Sequence, residues 1–113
     1  MAMRLRLDKP WQPLTAETAQ RLPGQLGVYQ VADAKGAILY IGQAGARSPF
    51  GLRSELQREF KDRGEGCQFR VEVNQQYRTR WLEMLMVHKA DHGSLPADNA
   101  KNPPPNLGRL SPS

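Results

Sequence analysis

The chain has 113 residues, enough for one domain and too few for two. Hydrophobic residues make up 39% of it, and 16 Lys+Arg stand against 11 Asp+Glu for a formal charge of +5, which excludes a disordered polymer and permits a polyanionic partner. No apolar run approaches the roughly 20 residues of a membrane span. Residues 1–8 hold no apolar secretory core, and the lone cysteine, Cys67, excludes an internal disulfide framework and a Cys-based zinc cluster. The expectation is a soluble, cytoplasmic domain with no membrane partner.

Residues 1–21 read as a lead-in broken by Pro10 and Pro13, with a short helix between Leu14 and Leu22 capped by Thr15. Trp11 is expected to pack onto the domain. Residues 25–33 read as a strand, Asp33 to Gly36 as a turn, and the β-branched and aromatic run 37–42 as the second strand of a hairpin. After a loop over 43–50, Leu52, Leu56 and Phe60 recur at helical spacing and predict a helix over 50–62, ended by Gly64 and Gly66. Residues 67–73 alternate: Cys67, Phe69, Val71 and Val73 face one way, and Gln68, Arg70 and Glu72 the other. Helical periodicity returns over 77–91, with Trp81 and Glu83. Beyond Gly93 the chain turns to Pro and Asn, and residues 103–113 read as a Pro-rich tail. Hairpin, helix, strand, helix implies an α/β domain over 22–102, a small, mixed but mostly antiparallel sheet flanked by helices.

Gly27-Val28-Tyr29 and Tyr40-Ile41-Gly42 are separated by ten residues. With Leu22-Pro23 before the first, a hairpin turn between them, Glu83 in a later helix and Pro96-Ala97-Asp98-Asn99 beyond, the arrangement resembles the GIY-YIG nucleases. The resemblance covers about residues 22–102. It implies hydrolysis of nucleic-acid phosphodiesters, DNA foremost, with a single Mg²⁺ or Mn²⁺ ion. Tyr29 would activate water, Tyr40 would position water or phosphate, Glu83 would hold the metal, and Asn99 would complete the site. Strand alternation puts both tyrosines on one face, with Val28 and Ile41 on the other. A plainer reading stands beside this one. A cross-strand tyrosine pair stabilises a sheet by up to about 1 kcal/mol, and a lone helix glutamate is most often solvated.

Three expected groups are missing. The family's first-helix arginine falls at Glu55 in Leu52-Arg53-Ser54-Glu55-Leu56, its cation after the second tripeptide is Gln43, and the aromatic or histidine one turn on is Glu59. Arg58, Arg53 and Arg47 are the candidate surrogates for phosphate contact. One lost transition-state donor costs roughly 10²–10³ in rate. The alternative is therefore a catalytically impaired module of the same fold that binds nucleic acid. Joint coordination of a metal by Glu55 and Glu83 is a further possibility, and an adaptor role for the Pro-rich tail is a weaker one. His88 and His92 sit at i and i+4 with no third zinc-type ligand and read as a solvated helix end. Cys67 reads as core, and Arg70, Arg78 and Arg80 as a basic cluster. The excess charge flanks the tripeptides: residues 10–46 are neutral, and residues 47–80 carry eight basic and five acidic groups.

Overall fold

The computed structural model describes residues 6–104. Four strands form one sheet in the order β1-β4-β2-β3, and all three pairings are antiparallel. The hairpin is β2 (Gly27–Ala32) and β3 (Ile38–Ala44). Its turn is fixed by Asp33, whose Oδ1 accepts from the backbone N–H of Lys35 and Ala37, and by Gly36 at a φ of +93°. β4 (Gln68–Val73) pairs with the other side of β2, and β1 (Gln12–Pro13) pairs with β4. Proline is tolerated in β1 because the strand is short and lies at the sheet edge.

Helix α1 (Ala16–Gln20) starts at the expected Thr15, which forms a capping box with Thr18. α2 (Gly51–Arg63) and α3 (Tyr77–His92) fall within a residue of their predicted spans. α3 stops at Gly93, which is left-handed at φ +83°. Past Gly93 a short helix, α4 (Ala97–Ala100), has no counterpart among the elements read from the sequence. The tail from residue 105 on lies outside the described residues.

The two faces of the sheet carry separate cores. Tyr29, Val31, Ala44 and Phe69 pack with Leu14, Ala19, Leu22, Leu52 and Leu56, so α1 and α2 cover one face. Val28 and Ile41 pack with Leu7, Met84 and Leu85, so α3 covers the other. Leu7, Leu14 and Ala19, all within the stretch that reads as a lead-in, are buried in these cores. Cys67, just before β4, and Val71 on it border the first core as their alternation predicts, but Val73 is exposed at the strand end. Trp11 packs against the Arg70 guanidinium, 4.1 Å from the ring centre.

Candidate functional site

The β2–β3 register places Tyr29 opposite Gly42 and Val31 opposite Tyr40, so the tyrosines share a face on a diagonal. Their ring centres are 6.0 Å apart. The glycine of the second tripeptide has a packing role here. A Cβ on Gly42 would lie 2.3 Å from Tyr29 Cζ, so the missing side chain is the space the Tyr29 ring occupies. Gly42→Ala is therefore expected to cost about 1–3 kcal/mol by overpacking. A urea melt reads this loss, and an unchanged midpoint would mean that the ring has room to move.

Tyr29 is fully buried, and its hydroxyl donates to Glu59 Oε2 at 2.7 Å. Glu59, on α2, is itself only 4% exposed. Its Oε1 accepts from Arg63 Nε at 2.8 Å, and Arg63 Nη1 reaches Asp98 at 2.8 Å. Arg63 also lies 5.8 Å from the centre of the half-buried Tyr40 ring. A cleft of about 390 Å³ opens beside this chain of contacts, lined by Tyr40, Arg58, Glu59, Asp62, Arg63 and Asp98. Burial, reinforced by the Glu59 carboxylate, pushes the Tyr29 hydroxyl well above the ordinary tyrosine range. The same two causes raise Tyr40. A general base works best with a pKa near the operating pH, and both tyrosines are displaced in the opposite direction.

Glu55, at the position where the resemblance calls for an arginine, is paired. It accepts from Ser48 Oγ at 2.7 Å and is ion-paired with Arg58 one turn on. Arg58 thus lines the cleft with its charge paired to a carboxylate. Arg53 turns away and donates to the Leu22 carbonyl at 2.8 Å. Arg47 is exposed in the loop, without a hydrogen bond or ion pair among the described residues.

Asn99 is buried, and its side-chain amide pairs with one residue of β3. Oδ1 accepts from Ile41 N at 2.8 Å, and Nδ2 donates to Ile41 O at 2.9 Å. The indole of Trp81 donates to the same carbonyl at 2.8 Å. β3 is an edge strand, and these contacts satisfy backbone groups that an edge leaves open.

Glu83 is not joined to either tyrosine by a hydrogen bond among the described residues. It lies on α3, over the opposite face, ion-paired with Arg80, and Arg80 also holds Glu72 with Nε–Oε2 at 2.9 Å. One carboxylate can suffice for Mg²⁺ or Mn²⁺ when waters and substrate complete the shell. The obstacle is the guanidinium, which takes one carboxylate oxygen, Oε1, and repels a second cation. The Glu83 surroundings do not fit a divalent ion as arranged, and no group of three His, Cys, Asp or Glu placed to hold a metal occurs among the described residues. Of the basic cluster, Arg80 is buried between two acids, Arg70 is engaged with Gln30 and Trp11, and Arg78 is exposed.

Arg63 and Asp98 are participants that sequence reasoning did not place in the site, and Glu59 was placed there only as an acid at a slot where the resemblance calls for an aromatic or histidine. Glu59 had a signal: it sits three residues past Leu56 and seven past Leu52, on the apolar stripe, where a carboxylate needs a partner. Arg63 follows at i+4.

The fold and cleft define a small α/β domain, a four-stranded antiparallel sheet between helices, with a buried tyrosine–carboxylate–guanidinium chain on one face. The chain belongs to a family described as a domain of unknown function, DUF7508, whose family model matches residues 3–91. No curated protein and no solved structure matches it.

Proposed function

We propose that the domain binds nucleic acid, DNA foremost, and that the hydrolytic chemistry suggested by its tripeptides is impaired. The observation that carries this reading is the buried Tyr29 hydroxyl held by the Glu59 carboxylate. A tyrosine donating to a carboxylate and raised in pKa does not take a proton from water near neutral pH. Beside it, Glu55 stands where the resemblance calls for a cation, so the cleft meets an incoming phosphate with negative charge. Support for nucleic acid as the partner comes from the GIY-YIG resemblance and from the basic excess over residues 47–80. Metal-dependent endonuclease activity needs both the tyrosine and the Glu83 carboxylate released from their present partners, so it is the second reading. No helix among the described residues is long and apolar enough to cross a membrane. An unpaired Cys67 suits the reducing cytoplasm proposed as its compartment.

The test is fluorescence anisotropy with a labelled DNA duplex, together with plasmid cleavage in Mg²⁺ or Mn²⁺. Binding is expected to weaken with salt, with a log–log slope set by a few phosphate contacts, about −0.9 for each. Plasmid is expected to stay intact. Absence of binding at about 50 mM salt, where non-specific contacts are strongest, would sink the proposal. Cleavage that disappears in both Tyr29→Phe and Glu83→Ala would establish the endonuclease instead.

A further inference from the structure

On the opposite face of the sheet from the tyrosines, a cavity of about 170 Å³ lies between β2 and α3. Its polar end is Gln30 and Arg70. Gln30 is only 6% exposed, and its Oε1 accepts from Arg70 Nε at 2.7 Å. A guanidinium can only donate, so this contact fixes the amide's orientation and leaves its Nε2 as the free end. Among the described residues Gln30 Nε2 has no hydrogen-bond partner. Arg70 Nη1 is taken by the Lys9 carbonyl at 3.1 Å, and Nη2 has no partner among the described residues. Both residues line the cavity, and each offers a solvent-reached donor with no protein acceptor among the described residues.

The charge has the same imbalance. Asp8 attracts Arg70 through space, but no carboxylate is hydrogen-bonded to this guanidinium among the described residues, and burial lowers its pKa in spite of Asp8. The guanidinium stacks on Trp11 and bonds only neutral acceptors, so it keeps its attraction for an anion. The other acid nearby is committed: Asp91 takes a two-pronged contact from Arg6, at 2.9 and 2.7 Å. His88 is bonded through Nδ1 to the Ser94 carbonyl and packs on His92, 4.3 Å between ring centres. The remaining wall is apolar, formed by Leu7, Ile38, Met84 and Val87.

We infer that this cavity is a binding site for a short-chain carboxylate, its oxygens accepting from Arg70 Nη2 and Gln30 Nε2 and its hydrocarbon lying against the apolar wall. Planar, forked donors match a carboxylate in two-point contact, and the wall adds affinity for a body that inorganic phosphate lacks. The inference is independent of the nucleic-acid reading, because it uses the other face and other residues.

Isothermal titration of the full chain with butyrate and, separately, with inorganic phosphate tests it. Butyrate is expected to bind with a Kd of about 1 mM or tighter, and phosphate at least about tenfold more weakly because it gains nothing from the apolar wall. Gln30→Glu keeps the shape and the Arg70 contact but replaces the amide donor with a carboxylate oxygen, which repels the ligand's. Butyrate binding should then fall by roughly tenfold or more, as removal of a charge-assisted contact does. On the unaltered chain, ¹H–¹⁵N spectra should show the Gln30 side-chain amide shifting on butyrate addition. Undiminished binding by Gln30→Glu, phosphate binding as well as butyrate, or a Gln30 amide that does not shift would each overturn the assignment.

Discussion

Glu59→Ala is expected to be among the most damaging single changes in the domain, costing about 2–4 kcal/mol. It leaves two groups stranded. The Tyr29 hydroxyl has Glu59 as its acceptor and lies in a fully buried position, and an unsatisfied buried donor costs about 1–3 kcal/mol. Arg63 loses its inner partner but keeps Asp98, so its penalty stays below the about 3–5 kcal/mol typical of a wholly stranded buried ion. For a domain of this size the combined loss should lower Tm by roughly 10 °C or more. Glu59→Gln retains an acceptor for the hydroxyl and should cost markedly less. The decisive measurement is the double-mutant cycle with Tyr29→Phe. Removing the hydroxyl first also removes its need for Glu59, so Glu59→Ala should then cost about 1–2 kcal/mol less than in the parent chain. A coupling near zero would mean that the hydroxyl finds another acceptor and that Glu59 does not hold it.

The parts of this network differ in how far the sequence reveals them, and the difference follows from contact range. Thr15 as a helix cap was readable because its partner Thr18 is three residues away. The α2 stripe was readable because Leu52 and Leu56 report their own face. The shared face of Tyr29 and Tyr40 followed from strand alternation once the hairpin was placed. Asn99 was singled out through the resemblance, but its clamp on Ile41 joins residues 58 apart, and no local pattern encodes that. Glu59 and Tyr29 are 30 apart and lie in different elements. β1 was hidden because Pro13 argues against a strand except at an edge, and the edge is decided by where β4 goes. α4 has only four residues and follows Pro96, too short to show a period. What remains unread from local pattern is therefore the set of side-chain partners across elements, and at this site those partners decide whether Tyr29 can act as a base.

Glu55→Arg should change the nucleic-acid behaviour of the cleft more than any other single substitution. Glu55 now accepts from Ser48 and neutralises Arg58. The substitution removes that acid, leaves Arg58 only its longer contacts to Glu59 and Asp62 at 3.9 and 4.0 Å, and adds a second guanidinium, a local change of two charges. If the cleft faces the phosphates, DNA affinity at low salt should rise by about tenfold, and the salt slope should steepen by about one phosphate contact or more. Cleavage is a separate matter. A restored transition-state cation is worth roughly 10²–10³ in rate only where the remaining groups are poised. Tyr29 stays bonded to Glu59 in this variant, so tighter binding without cleavage is the expected result. Replacing Glu59 by histidine as well relieves the carboxylate that helps to raise Tyr29, but Glu83 stays paired with Arg80, so this double variant is also expected to bind without nicking plasmid in Mg²⁺. Binding and salt slope unchanged by Glu55→Arg would place the DNA-contacting surface elsewhere. Cleavage by the single variant would mean that the Glu59 contact does not restrain Tyr29, and that the charge reversal at position 55 alone had silenced the site.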